Sequence, residues 1–490
     1  MQTIDNTYIS CENKTKYKSP NGCTKLFFMS AKITKISSTN DKLSARGGIS
    51  LFLRYIEHTG LYVLISNSIF SFLIKSNKGL KLKSFTKQML AFFIDGTDMS
   101  IAGFDKRKKD KGYAAVLECR CDQLASSHQI KRFFIKLAVI GNLVFNIILN
   151  KLFIWRLNIQ KPTIIILGID TMVLDNDSAS KREGNEPTYK RKKGFQPLHI
   201  CWGPFLIDVM FRKGSAHSNH GTDYTDRVRA IVKLIRKHYS AEVPIILCAD
   251  SGFADQKAYK IFEEELNIHF ITTGKLYPDV KTFVSDLPEN TFKEIVKNKS
   301  VWQFSEFAGK LKNWDKFRPC VFTRLQCDQN GQTLMDFGKP DNIIYHNIGN
   351  CPIADKRLRA VEGGDIYFEA ESIVKLSHQR GADELIHRSI KELATKEQLP
   401  FKSFEMNRAY YFLLVIAHFM FEAYKRDVTA EVIPATVYPN TFRRRLIDFA
   451  VKITSHARGV ILNVTKAAYQ YLEIEKLWQL CKSPPIIAIN

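Results

Sequence analysis

The chain has 490 residues, 45% of them hydrophobic, and its 72 Lys and Arg against 49 Asp and Glu give a formal net charge of +23. That length and apolar content supply several sizeable cores, which excludes a disordered chain or a small disulfide-stapled one. The positive surplus points to a polyanionic partner, nucleic acid before membrane.

Residues 1–45 are polar and weakly patterned and read as a flexible leader with no signal peptide. Residues 46–158 read as a helical N-terminal DNA-binding domain. Leu82–Ile94 has amphipathic spacing, and Ser126 or Ser127 is placed to cap a helix whose Lys131 and Arg132 face outward. That pair of helices suits a helix-turn-helix and equally an ordinary helical pair. The apolar stretches Leu61–Ile74, Phe133–Trp155 and Ala409–Phe421 are interrupted by polar residues or fall short of the ~20 residues a membrane span needs, so no membrane partner is expected.

A new texture begins at Lys161-Pro162 and opens the first part of a catalytic domain, 159–284. Strand Thr163–Asp170 precedes a basic loop and a hairpin, Leu198–Ile207 with Val209–Arg212. Helix Thr222–Tyr239, strand Val243–Asp250, helix Ala254–Leu266 and strand Ile268–Thr273 follow. This α/β order predicts a ribonuclease-H-like mixed sheet with helices on both faces. Short aromatic and β-branched runs over 285–370 predict a β-rich insertion. Residues 371–425 complete the domain with a helix bearing Glu384 and a hydrophobic helix, Met406–Tyr424. Residues 426–490 read as a basic helical tail whose sharpest cluster is Arg443, Arg444 and Arg445. The ten cysteines form no CxxC pair, and Cys201 and Cys248 lie in apolar runs. A reduced cytoplasm is expected, and a zinc site is not.

Asp170 and Asp250 each end an apolar run, TIIILGID and VPIILCAD, and so are delivered to the edge of a sheet. At about 100° per residue, Arg380, Glu384 and Lys391 share one face of a helix whose other face is apolar. Carboxylates hold Mg²⁺ or Mn²⁺ while leaving positions for substrate, and two such ions serve phosphodiester chemistry. Asp170 is the natural bridge between two ions, with Asp250 and Glu384 each completing one. Plainer roles exist for each residue: strand-end aspartates cap helices, and a helix glutamate pairs with arginine at i±4. Asp175 and Asp177 lie past the strand in the loop. A haloacid-dehalogenase reading of Asp170 fails because Met172 stands where its second aspartate belongs. No GxxxxGK[ST] or GxGxxG loop occurs.

Taken together, Arg380-x3-Glu384-x6-Lys391, Ala249-Asp250-Ser251-Gly252-Phe253, Tyr189-Lys190-Arg191-Lys192-Lys193-Gly194 and Gly214-Ser215-Ala216-His217-Ser218 resemble the DDE transposases of bacterial insertion sequences. The likeness is to the cut-and-paste group with a Tyr-Arg-Glu-Lys signature, over about residues 115–460. Ser377 occupies the tyrosine position, Met172 a common threonine and Ser215 a common asparagine. The resemblance implies catalytic and metal-binding roles for Asp170, Asp250 and Glu384, with two Mg²⁺ ions or Mn²⁺ in their place. It implies DNA contacts from Arg380, Lys391, Lys190–Lys193 and His217, alongside the basic residues Lys131, Arg132 and Arg443–Arg445. Double-stranded DNA at terminal inverted repeats, target DNA and a homodimer would be the partners, in a bacterial cytoplasm. Cleavage would pass through a hairpin end, and Trp302 or Trp314 of the insertion would stack on a flipped base. The alternatives are an inactive DNA-binding derivative and a ribonuclease-H-like nuclease without strand transfer.

Overall fold

The computed structural model describes residues 35–69, 79–98, 100–218, 221–297, 299–312, 314–330, 341–379, 381–393, 397–456 and 459–488, without the side chains of 143 and 381–384. Met1–Asp41 and Lys42–Asn490 form separate units, and residues 35–41 of the first are exposed and outside helix and strand. The second unit begins with a short strand, β1 (Lys42–Ser44), inside the stretch expected to be a leader. Seven helices follow: α1 (Gly48–Thr59), α2 (Leu61–Ile69), α3 (Leu82–Asp95), α4 (Gly103–Arg107), α5 (Lys111–Val116), α6 (Ser127–Leu137) and α7 (Asn142–Gln160). Ser126 caps α6 by accepting from Gln129 N–H, and Gln129 returns a bond to the Ser126 backbone. Lys131 and Arg132 stand exposed on that helix, as expected. Phe52, Phe92, Phe134 and Phe153 share one core with Leu167, Leu206 and Tyr410, so the core is continuous across the boundary expected near 158.

The apolar runs that end at the two aspartates form neighbouring strands. In chain order come β2 (Ile165–Thr171), β3 (Leu174–Asp175), β4 (Glu186–Pro187), β5 (Lys193–Phe195), β6 (Leu198–Trp202) and β7 (Phe205–Met210). After them lie helix α8 (Asp223–His238), β8 (Ile245–Ala249), α9 (Gln256–Lys260) and β9 (His269–Gly274). The order across the sheet is β7-β6-β2-β8-β9, with β2, β8 and β9 parallel and the β6–β7 hairpin antiparallel. This is the ribonuclease-H order the sequence predicts. Both faces are covered, because the runs are apolar at every position rather than at alternate ones. Ile245 and Leu247 join the larger core, while Ile246 and Cys248 join a second one with Ile373 and Val374. Strands β3, β5 and β4 make a small sheet of their own.

The expected insertion does contain strands, but they extend the same sheet. Helix α10 (Pro278–Ser285) leads into β10 (Lys293–Lys297), β11 (Ser300–Gly309), β12 (Arg318–Cys327) and β13 (Asp341–His346). β13 pairs antiparallel with β9, and the nine-stranded order becomes β10-β11-β12-β13-β9-β8-β2-β6-β7. Helices α11 (Pro352–Arg359) and α12 (Ala370–Gln379) follow, with Ile373 and Val374 of α12 in the second core. Next come α13 (Gly381–Leu393) and α14 (Phe404–Tyr424). From Ala409 to Tyr424 every residue of α14 is buried. A helix apolar all round must be enclosed, and α3, α6, α7 and α13 enclose this one.

The C-terminal part has the expected helices, α15 (Pro439–Phe442), α16 (Lys466–Tyr471) and α17 (Ile474–Lys482). It also has a hairpin, β14 (Val451–His456) and β15 (Gly459–Val464), with β14 paired to β1. Its signal is Val451 and Ile453 alternating inward, a pattern too short to stand out in a basic segment. Among the described residues no helix is long and apolar enough to cross a membrane.

Candidate active site

Ile169 of β2 lies opposite Ala249 of β8 in the parallel ladder, so the next residues, Asp170 and Asp250, emerge side by side at the carboxyl ends of the strands. On the other flank of β2, His199 of β6 lies opposite Asp170. One oxygen of each carboxylate is held by a backbone N–H: Thr171 N donates to Asp170 Oδ1 at 2.7 Å and Gly252 N to Asp250 Oδ1 at 2.7 Å. These bonds fix the headgroups of two carboxylates, the hard-oxygen donor type that Mg²⁺ and Mn²⁺ prefer. The glycine of the Ala-Asp-Ser-Gly-Phe run has a steric reason. A Cβ at Gly252 would lie 2.9 Å from Ser218 Oγ and 3.0 Å from Asp250 Oδ1, so the turn carrying His217 and Ser218 packs directly on the Asp250 loop.

The two aspartates open into a pocket of about 730 Å³ that Lys190, His387, Arg388, Lys391 and Glu397 also line. Glu384 belongs to α13, but its side chain lies outside the described residues, as does Arg380 altogether. Its position precedes His387 and Arg388 by one turn and Lys391 by two, and all three line the pocket. Among the described residues no three His, Cys, Asp or Glu side chains converge as a metal cluster.

The other residues singled out from the sequence separate into groups. Thr188 accepts the Arg191 N–H at 3.0 Å, closing a tight turn in which Arg191 has φ +57°, and this turn presents Lys190 to the pocket. Lys192 pairs with Asp175 at 3.5 Å, and Arg191 and Lys193 are exposed. His217 lines an adjoining cavity of about 390 Å³ with Ser218, Lys275 and Tyr277. Lys131 and Arg132 line neither cavity. Arg444 and Arg445 are exposed, but Arg443 is not, which corrects its placement among surface DNA contacts. It donates to the carbonyls of Ile94 (2.7 Å), Phe93 (2.7 Å) and Glu392 (3.0 Å), and burial pushes its pKa down to about 10. Trp314 is buried between Tyr259 and Tyr345, and Trp302 packs on His378. Ser377, at the signature tyrosine position, is buried on α12.

Sequence reasoning missed several lining residues. Glu392 accepts from Arg388 Nε at 3.1 Å and from Asn440 N at 3.0 Å, and all three border the pocket. Lys391 pairs with Glu397 at 3.0 Å, although Glu397 lies beyond the helix. His387 was legible in principle, since the helical period puts it on the face of Glu384 and Lys391. Beneath it His199 is fully buried, its Nδ1 3.4 Å from His387 Nε2 and its Nε2 2.8 Å from Tyr411 Oη. Burial, with the neighbouring His387 second, holds the His199 pKa well below the usual histidine range.

The family model described as transposase DDE domain, group 1, matches residues 29–482. Among solved structures, a piggyBac transposase synaptic complex with hairpin DNA is 15% identical, with a TM-score of 0.37 over 82% of this chain and 80% of that one. That likeness is too loose to carry the site across. No curated protein matches the chain.

Proposed function

Because the chain belongs to the transposase DDE domain group 1 family, we propose that it excises and reinserts an insertion sequence by cutting DNA at terminal inverted repeats. The observation that carries this reading is the pair Asp170 and Asp250, side by side at the ends of parallel strands above a pocket rimmed by Lys190, Arg388 and Lys391. The carboxylate pair fits divalent ions, Mg²⁺ first and Mn²⁺ second, with Glu384 completing the set. When bound, the ions supply activation of the attacking oxygen and stabilisation of charge on the phosphate.

The chain's own residues bind and orient the DNA around that centre. Lys190 approaches from a tight turn as a point charge for one backbone phosphate. Lys391, paired with Glu397 at 3.0 Å, is the residue that exchanges its carboxylate partner for a phosphate in this reading. Arg388 lies with its guanidinium 4.0 Å from the Tyr438 ring centroid and is tied to Glu392, which keeps its charge at the rim. Exposed Arg191, Lys193, Arg444 and Arg445 extend the positive surface along the duplex, and binding is steeply salt-dependent. In this reading two copies pair two transposon ends, cleavage proceeds through hairpin ends, and the protein works on DNA in a bacterial cytoplasm.

The test uses purified protein, Mg²⁺ and a duplex carrying its terminal repeats. Nicking and strand joining are expected from the wild type. Asp170→Asn and Asp250→Asn lose both while gel-shift binding survives. Undiminished cleavage by Asp170→Asn would falsify the site, and cleavage without joining would favour a nuclease.

A further inference from the structure

We propose that Arg212 is a positioning residue for the candidate active site. Its guanidinium clamps the turn at His217 and Ser218, and that turn holds the Asp250 loop beside Asp170. The proposal deepens, and rests on, the reading of the two aspartates as a metal-binding pair.

The use for such a clamp follows from the strand ladder. The pairing of β2 with β8 ends at Ile169 and Ala249, and that of β8 with β9 at Ala249 and Thr272. Asp250 therefore lies one residue past the last ladder contact on either flank of β8, and its backbone is carried by the loop that follows. Asp170 is placed differently. Strands β2 and β6 stay paired as far as Thr171 and Leu198, and Met172 N donates to Pro197 O at 3.1 Å. Within the Asp250 loop, Gly252 N donates to Asp250 Oδ1 at 2.7 Å. A Cβ at Gly252 would meet Ser218 Oγ at 2.9 Å and Ser218 Cβ at 3.0 Å, so Ser218 limits where Gly252 and its bond to the carboxylate can stand.

Arg212 ties that turn to the strand of the first acid. It is only 5% exposed, and its Nε donates to Gln196 O and its Nη1 to His217 O, both at 3.1 Å. Gln196 precedes Pro197, and its own Nε2 donates to Thr171 Oγ1 at 3.5 Å. One planar group thus spans from the segment fixed to β2 to the turn packed on the Asp250 loop. Both of its bonds go to carbonyls, and among the described residues its buried Nη2 has no hydrogen-bond partner. Burial pushes its pKa down to about 10, with Asp223 offsetting part of that effect. A buried cation held this way costs more than an apolar side chain of the same reach. What it supplies is direction: N–H groups fixed in one plane, which the rotatable ammonium of lysine does not reproduce. The role is geometric, and no proton moves.

Calorimetric titration of the metal-free protein with Mn²⁺, without DNA, reads the carboxylate pair directly. Arg212→Met and Arg212→Lys are each expected to weaken Mn²⁺ binding by about 10- to 100-fold. In both, kcat for cutting falls by a similar factor while KM for end DNA holds. The Gly252 amide is expected to exchange with deuterium about tenfold faster. Arg156→Met is the control. It removes another buried guanidinium, bonded to Asp427 at 2.8 Å and lying over Phe205 at the other end of the β6–β7 hairpin, and is expected to leave Mn²⁺ affinity unchanged. Arg212→Lys keeps the buried charge and stem, so it gives an answer even where the methionine variant does not fold. Wild-type Mn²⁺ affinity in Arg212→Lys overturns the proposal, since charge without the fork then suffices. An equal loss in Arg156→Met overturns it too, as the mark of general destabilisation. The two readings fail separately. Asp170→Asn that binds Mn²⁺ like the wild type sinks the metal pair and the clamp together, whereas normal binding by Arg212→Lys in a protein that needs Asp170 sinks the clamp alone.

Discussion

Replacing Arg443 with methionine distinguishes a surface basic cluster from a buried tie. Methionine keeps much of the apolar stem and deletes the guanidinium. Four bonds go with it: to Ile94 O at 2.7 Å, Phe93 O at 2.7 Å, Glu392 O at 3.0 Å and Asn440 Oδ1 at 2.8 Å. The three carbonyls end α3 and α13, where a cation also complements the helix dipoles. Gly96 closes α3 at φ +63°, and a Cβ there would lie 2.3 Å from the Arg443 Cζ, so the chain leaves room for this group. Three carbonyls each losing a charged donor, at about 1–1.5 kcal/mol apiece, amount to about 3–5 kcal/mol of stability. Urea denaturation is expected to show that loss in R443M, with the salt dependence of DNA binding unchanged. Arg444→Ala and Arg445→Ala are expected to do the opposite, sparing stability and flattening the salt dependence. If R443M is as stable as the wild type and its salt slope falls by about 1, the reasoning is wrong.

Lys190→Ala is expected to lower the slope of log K against log salt by about 0.9, one phosphate contact, in a titration with end-sequence DNA. Arg318 of β12 and Glu263 form a buried two-bond pair, both bonds 3.0 Å, with Arg318 5.0 Å from the Trp314 ring centroid. Arg318→Met leaves Glu263 with Lys316 alone and is expected to cost about 3 kcal/mol, while Arg318→Met with Glu263→Leu regains most of it in denaturation curves. His346 and His418 are buried, and burial pushes their pKa values down to about 3 and about 4. Below pH 6.5 the unfolded chain takes up protons that the folded one refuses. Stability is therefore full above that pH and falls with acidity through about pH 4, by about 1.4 kcal/mol per pH unit for each ring. An unfolding free energy that stays flat between pH 7 and pH 5 contradicts this.

The sheet was legible because its strands are continuous apolar runs. Nothing but burial on both faces tolerates Thr163–Ile169 and Val243–Ala249, and a run that ends in aspartate must deliver that aspartate to the rim. Pairing was less legible. The aromatic runs of 285–370 announced strands without saying which edge they would join, since that depends on the edge β9 offers and on long-range register. Charge misled at Arg443, because three adjacent arginines read as one patch. On a π-helical turn only two of them face out, and the third finds carbonyls that lie about 350 residues away in sequence for Phe93 and Ile94. The face of α13 was read for Glu384 and Lys391 but not for His387, which the helical period also puts there, because its contact with His199 comes from a distant strand. Glu397 escaped for a similar reason: it reaches Lys391 from outside the helix, where no period applies.

The shared ladder of β9 and β13 has a mechanical meaning. Four register pairs, from Ile343 with Gly274 to His346 with Ile271, weld the insertion to the plate that carries the two aspartates. The Tyr345 ring lies across Gly274, and the Arg318 pair bolts the next strand to the segment following α9. A part fastened by backbone bonds along its length cannot swing open and shut over the acids as a hinged cover would. It stands as a fixed extension of the plate whose strands end at Asp170 and Asp250. On the proposed function, a strand reaching those acids would meet a rigid neighbour there and not a moving one.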